Sequence, residues 1–186
     1  MSCLYVKLSL GVMIMALYQK LIQTSAGEML AIANNEYLLM LHFTNKPSLE
    51  EELQIVRKQL NSEINDESNH VLDKLEEELN LYFEGNLSNF TTPIHFNFGT
   101  PFQQKVWRAL CDIPFGVTIS YKQLAENIGK PTAFRAVANA NGKNFITILV
   151  PCHRVIAADG SIGGYSSGIE RKEILLDIEK NKSNIG

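Results

Sequence analysis

The chain has 186 residues, 45% of them hydrophobic, which is enough for one core or two small ones and lacks the bias of a disordered or fibrous protein. Its net charge of −3 argues against a chain-wide surface for nucleic acid. The charge is uneven, however: residues 1–100 carry −7 and residues 101–186 carry +4, so the C-terminal half is the part suited to face phosphates.

The opening "MSCLYVKLSLGVMIMAL" places one lysine before an apolar run, the layout of a short signal peptide. The run is too short to span a bilayer, no small-x-small cleavage pattern follows, and "YQK" interrupts it. A second reading is a natural start at Met13 or Met15, with residues 1–14 as an extension. From Tyr18 to Phe43, "YQKLIQT", "EMLAIAN" and "YLLMLHF" alternate with the turn-formers "SAG" and "NNE", which predicts a small antiparallel meander. Ser48 with Glu51 reads as a capping box ahead of a helix carrying Leu49, Leu53, Val56 and Leu60. After a polar gap, "NSEINDESN", a second helix carries Val71, Leu75, Leu79, Tyr82 and Phe83 and ends at Gly85, with "EEE" as its solvated face.

Residues 86–98 read as a linker. In "GTPFQQKVWRALCDIPFG", Thr100 caps, Pro101 suits the first helical position and Gln103 completes a capping box. Phe102, Val106, Ala109 and Leu110 form the buried face, with Cys111 packing near the end. Ser120 and Gln123 form another capping box for a helix through Ile128. Gly129 to Pro131 make a turn, and Thr132 is expected to cap a second helix that ends near Asn141 and Gly142. This is the outline of a helix-turn-helix, with Arg135 in the first turn of the second helix; an ordinary helical hairpin has the same outline.

Cys3, Cys111 and Cys152 are odd in number, widely spread and without a C-x-x-C pair, so they outline neither a disulfide framework nor a zinc site and point to a reducing compartment, the cytoplasm. Cys152 follows "ITILVP", read as a buried strand, and precedes the glycine- and serine-rich "HRVIAADGSIGGYSSG". A nucleophilic thiol needs a base or a helix N-terminus to remove its proton. His153 is adjacent, but successive side chains of a strand point to opposite faces. From this local pattern, nucleophile and packing residue remain equally open.

The residues "PCHRVI", preceded by "SYKQLAENIGKPTAFRAVANANGKN" and followed by "GGYSSGIERKEILLDIE", resemble the O6-alkylguanine-DNA alkyltransferases, also called methylated-DNA–protein-cysteine methyltransferases. The resemblance runs from about Leu75 through Glu179, takes in "YFEG" and "GTPFQQKVWRAL", and continues more weakly over the N-terminal strands. It implies an α/β protein with an N-terminal ribonuclease-H-like sheet-and-helix domain over residues 15–92. Residues 93–186 would form a C-terminal winged-helix-like domain carrying the helix-turn-helix.

The implied activity is DNA repair by direct reversal, with single-turnover transfer of an alkyl group from guanine O6, or from thymine O4, to Cys152. The implied partner is alkylated double-stranded DNA, met by a monomer without a membrane, a cofactor or a metal. By the same resemblance, His153 and Glu179 join Cys152 in a water-bridged network and Asn144 orders the turn near the thiol. Arg154 is a structural ion-pair residue. Arg135 fills the space of the extruded nucleotide, which Tyr121 helps to rotate. Tyr165 and Ser166 cover the flipped base, and the Val155 carbonyl accepts from its amino group. Ala138, Asn139, Phe145 and Ser167 depart from the usual pattern and bear on pocket size and DNA binding.

Three competitors are a non-catalytic alkylated-DNA-binding protein, a helix-turn-helix regulator and a cysteine hydrolase. Cys152 argues against the first. The chain shows no evident dimerisation segment for the second, and the DNA-binding motif beside the nucleophile disfavours the third.

Overall fold

The computed structural model describes residues 16–183. The extension over 1–14, the alternative starts at Met13 and Met15, and Cys3 lie outside them. The expected meander is present as β1 (Leu17–Thr24), β2 (Gly27–Ala33) and β3 (Leu38–Phe43), paired antiparallel with Thr24 opposite Gly27 at the first turn. A fourth strand, β4 (Ile64–Asn65), comes out of the polar gap and pairs parallel with β1, giving the order β3-β2-β1-β4. With two residues it has no room for an alternating pattern; Asn65 anchors it by donating its side-chain amide to the Leu17 carbonyl at 3.0 Å.

Helices α1 (Leu49–Leu60) and α2 (His70–Phe83) accompany this sheet. The capping box expected of Ser48 and Glu51 does not form, because the Ser48 hydroxyl donates to Glu52 Oε1 instead. On α2, Asn69 is the cap and accepts from the Val71 and Leu72 amides. The acidic run is not wholly a solvated face either. Glu78 is buried and accepts from the amides and hydroxyls of Thr91 and Thr92. That clamp ties the connecting segment to α2, and Leu38 pairs with it through Pro93 and His95, so residues 91–95 run along the edge of β3.

The C-terminal half opens with α3 (Pro101–Cys111), capped by the expected Thr100 and Gln103 box. Its buried face is Val106, Trp107 and Leu110, each contributing about 1.5–3 kcal/mol by burial. Trp107 was not among the residues expected there. Its indole N–H donates to the Ala140 carbonyl at 2.8 Å and joins α3 to α5 (Phe134–Gly142). Cys111, expected to pack, is exposed at the helix end. Helix α4 (Tyr121–Asn127) has the Ser120 and Gln123 box and packs on α5, completing the helix-turn-helix. The cap of α5 is Ala133 and uses no side chain, so Thr132 does not cap it. Strands β5 (Ile119–Ser120) and β6 (Val155–Ile156) pair parallel, and α6 (Ile169–Ser183) closes the described chain. No helix among the described residues is long and apolar enough to cross a membrane.

Candidate active site

The apolar run "ITILVP" is a buried turn, not the expected strand. Residues 145–147 bond to β3, with the Leu41 amide donating to the Phe145 carbonyl and the Thr147 amide to the Leu41 carbonyl, both at 2.9 Å. The chain then reverses through Ile148, whose φ of +73° lies in the left-handed region. A β-branched residue there costs about 1–2 kcal/mol, so its surroundings must hold it. Asn144 provides much of that hold. Its Oδ1 accepts from the Ile146 amide at 2.9 Å, and its Nδ2 donates to the Val150 carbonyl at 2.9 Å, to the Ile146 carbonyl at 3.2 Å and to Cys152 Sγ at 3.3 Å.

After Pro151 the chain makes one 3-10 turn, Cys152–Arg154. Cys152 and His153 therefore do not alternate across a strand. Both are buried, Cys152 at 2% exposure, with its carbonyl accepting from the Asn141 side chain at 3.3 Å. The thiol sits in the wall of a cavity of about 400 Å³ that is also lined by Tyr121, Ala138, Tyr165 and Ser166. Burial pushes the thiol pKa up, against the Asn144 hydrogen bond and the nearby Lys46 charge. At neutral pH the resting group is the thiol, and it needs a base.

His153, next to it in the chain, is paired with Glu179. Its Nε2 lies 2.7 Å from Glu179 Oε1, and burial holds the imidazole below its ordinary pKa despite that partner. A neutral ring beside a carboxylate carries its proton on Nε2, which leaves the Nδ1 lone pair as the acceptor. Nδ1 is itself buried and makes no hydrogen bond to the protein. Burial opposes the Glu179 charge, but His153 and Arg154 outweigh it and hold its pKa at about 2. The carboxylate also accepts from the Gly116 amide and from the Tyr82 hydroxyl of α2. Arg154 is the expected ion-pair residue, with Nε 2.8 Å from Glu179 Oε2 and Nη1 donating to the Ile113 carbonyl at 2.6 Å.

Of the expected residues, the structure gathers Cys152, Tyr121, Tyr165 and Ser166 around one cavity, bonds Asn144 to the thiol and pairs His153 with Glu179. Arg135 is outside the cavity, exposed on the first turn of α5 with its guanidinium 5.8 Å from the Phe134 ring centre. The Val155 carbonyl already accepts a 2.6 Å bond from Lys172, a fully buried lysine that also donates to the Ile162 carbonyl. The sequence reading missed Lys172, although Lys172, Leu175 and Glu179 recur at helical spacing and form the buried face of α6. It also missed Tyr82 as a partner of Glu179, since a tyrosine on an apolar stripe reads as core. Phe145, one of the departures from the family pattern, packs 4.9 Å from the Phe98 ring and 6.2 Å from Trp107. Among the described residues no group of three or more His, Cys, Asp or Glu side chains is arranged to hold a metal ion.

Two family models cover nearly all of the described chain. Residues 17–96 match the ribonuclease-like domain of 6-O-methylguanine DNA methyltransferase, and residues 101–181 match its DNA binding domain. The chain belongs to this family. It is 44% identical over 147 residues to the inducible methylated-DNA–protein-cysteine methyltransferase of Bacillus subtilis, covering 79% of this chain and 81% of that one. It is 51% identical over 104 residues to the Methanosarcina barkeri protein of the same name, across 56% of this chain and 65% of the relative.

Among solved structures, Mycobacterium tuberculosis OGT in complex with DNA aligns with a TM-score of 0.76 at 36% identity, over 89% of this chain and 94% of that one. The O6-methylguanine-DNA methyltransferase of Pyrococcus kodakaraensis aligns at 0.62 and 28% identity, over 88% and 98%. The α/β fold, with a sheet domain followed by a helical DNA-binding domain, is therefore the fold of these proteins.

Proposed function

We propose that the chain repairs alkylated double-stranded DNA by direct reversal, moving one methyl or other alkyl group from guanine O6, or thymine O4, to Cys152 Sγ. The observation that carries this reading is the buried Cys152 thiol in a cavity wall, bonded by Asn144 and followed in the chain by a neutral histidine that is paired with an ionised glutamate. The alkyl carbon of a stacked base is out of reach, so the nucleotide must leave the duplex and enter the cavity. Arg135, exposed at the start of α5, fills the space it leaves. Tyr121 donates to the base, while Tyr165 and Ser166 cover it and the second lone pair of the Val155 carbonyl accepts from its amino group.

His153 Nδ1 takes the thiol proton through a bridging water, and Glu179 stabilises the imidazolium. The thiolate attacks the alkyl carbon as its bond to oxygen breaks. That electron pair stays with the guanine, whose ring takes up one proton from solvent while the imidazolium releases the proton of the thiol, so thiol and O6-alkylguanine become thioether and guanine. The product thioether has no nucleophile left, so each molecule reacts once and needs no cofactor.

Cys152, His153, Glu179 and the cavity all come from one chain, which supports a monomer. The more basic C-terminal half supports phosphate contacts without base readout. A reducing cytoplasm keeps the thiol free.

The test is peptide mass spectrometry after incubation with excess duplex containing O6-methylguanine. One added methyl on Cys152, with repaired guanine equal in amount to protein, is the expected result. Lesion binding with no adduct would replace this reading with non-catalytic damage recognition.

A further inference from the structure

A second buried polar cluster lies between β3 and α1, and no step of the reaction uses it. His42, Lys46, Glu52 and Thr147 are all buried. His42 Nε2 is 2.7 Å from Glu52 Oε2, and Lys46 donates to Glu52 at 2.7 and 2.8 Å. Burial keeps His42 below its ordinary pKa, so the imidazole is neutral and gives its Nε2 proton to Glu52. Its Nδ1 then accepts from the Thr147 hydroxyl at 3.0 Å. Lys46 fixes Glu52 and also stands 3.1 Å from His42 Nε2, Glu52 fixes the ring, and the ring fixes Thr147. Burying a lysine and a glutamate is a costly way to add stability, so such a unit calls for another explanation.

Thr147 offers one. It is bonded to β3 through its backbone and lies within the turn that Asn144 closes, next to the left-handed Ile148 and five residues before Cys152. We propose that His42, with Glu52 and Lys46, is a positioning residue for alkyl transfer: through Thr147 the N-terminal sheet holds the turn that presents the Cys152 thiol. The inference rests on the alkyltransferase reading for its consequence, but the placement of the thiol can be measured without DNA. Lys46 stands close enough for its charge to favour the thiolate, which links the cluster to the thiol a second way.

The test compares Thr147→Val, which keeps the shape and removes the hydroxyl, with Thr147→Ser, which keeps the hydroxyl, and with His42→Gln. Two rates are followed, methyl transfer from an O6-methylguanine duplex and alkylation of Cys152 by iodoacetamide across pH, alongside the melting temperature. A displaced turn weakens the Asn144 bond to sulfur. Thr147→Val should then slow transfer about tenfold to a hundredfold and move the iodoacetamide midpoint to higher pH, with Thr147→Ser recovering most of both.

If Thr147→Val is folded and both rates match the parent, or if only its melting temperature falls, the latch is purely structural and the inference is overturned. Should Thr147→Val not fold, the same criteria apply to His42→Gln. Failure of the alkyltransferase reading appears in the unmodified protein, as no transfer to Cys152, and leaves the iodoacetamide test of the latch intact.

Discussion

The Asn144 side-chain amide bonds at once to the Cys152 thiol, at 3.3 Å, and to the Val150 carbonyl, at 2.9 Å, so one residue both shapes the turn and polarises its sulfur. Asn144→Ala should separate the two effects. Losing Oδ1 strands the buried Ile146 amide at about 1–3 kcal/mol, which urea unfolding would register, while the Val150 and Ile146 carbonyls keep their bonds from the Cys152 and Val150 amides. Losing the bond to sulfur removes a contact that lowers the thiol pKa, so the iodoacetamide midpoint of Cys152 should rise. A variant that unfolds earlier with an unmoved midpoint would confine Asn144 to a structural part.

Glu179 gives a prediction with a definite pH window. Its pKa is about 2 in the folded chain against an ordinary 4.5, so the unfolded chain takes up the proton first as the solution is acidified. The stability it contributes is complete above about pH 4.5 and is lost as pH falls toward about 2. Glu179→Gln strands Arg154 and should cost about 3–5 kcal/mol near neutrality. It should also flatten the acid limb of the melting-temperature profile. An acid limb as steep as that of the parent would mean that other carboxylates carry the acid sensitivity.

The residues proposed to do the chemistry were legible where their neighbours formed ordered motifs. Cys152, His153, Asn144 and Glu179 were all placed by resemblance, and the capping boxes at Thr100 and Ser120 came from local hydrogen-bonding rules. What was not legible depends on partners distant in sequence. "ITILVP" has the composition of a strand, yet Asn144 closes it into a turn and β3 holds its near end. Glu78 reads as one acid among three until Thr91 and Thr92 fold onto it. His42, Lys46 and Glu52 lie on a strand, a loop and a helix and mean nothing together until Thr147, more than a hundred residues from His42, completes the chain of bonds. Thr132 and Ser48 failed as caps because a suitable side chain does not guarantee cap geometry; Ser48 has a backbone near φ −91° and ψ 7°, not the extended form of Asn69, Thr100 and Ser120.

Gly99, just ahead of α3, packs on Trp107 through a contact that only glycine permits. Its φ is +82°, and a Cβ there would stand 2.4 Å from the Trp107 ring, whose indole N–H is committed to Ala140. Gly99→Ala should therefore cost at least about 1–2 kcal/mol for the backbone conformation alone, and more for displacing Trp107. Thermal melting followed by Trp107 fluorescence would check both, since it is the chain's single tryptophan. A wild-type melting point with unchanged fluorescence would mean that the ring and turn have room to shift.

Arg135 and Tyr121 are expected to act on the nucleotide and not on the sulfur, and that difference can be measured. Arg135 is exposed on α5, outside the cavity, whereas Tyr121 lines it beside Cys152. Arg135→Ala should slow methyl transfer from duplex DNA about tenfold or more by weakening base extrusion, while iodoacetamide still reaches Cys152 at the parent rate. Tyr121→Phe keeps the ring and removes the hydroxyl. It should slow transfer by a smaller factor if that hydroxyl bonds the extruded base. Single-turnover kinetics with a stacked lesion and with the same lesion opposite an abasic site would separate the two roles, because a weakly held base needs less help to leave the helix. The Arg135→Ala defect should shrink on the abasic duplex and the Tyr121→Phe defect should persist. Equal defects on both duplexes would move Arg135 from extrusion to general phosphate binding.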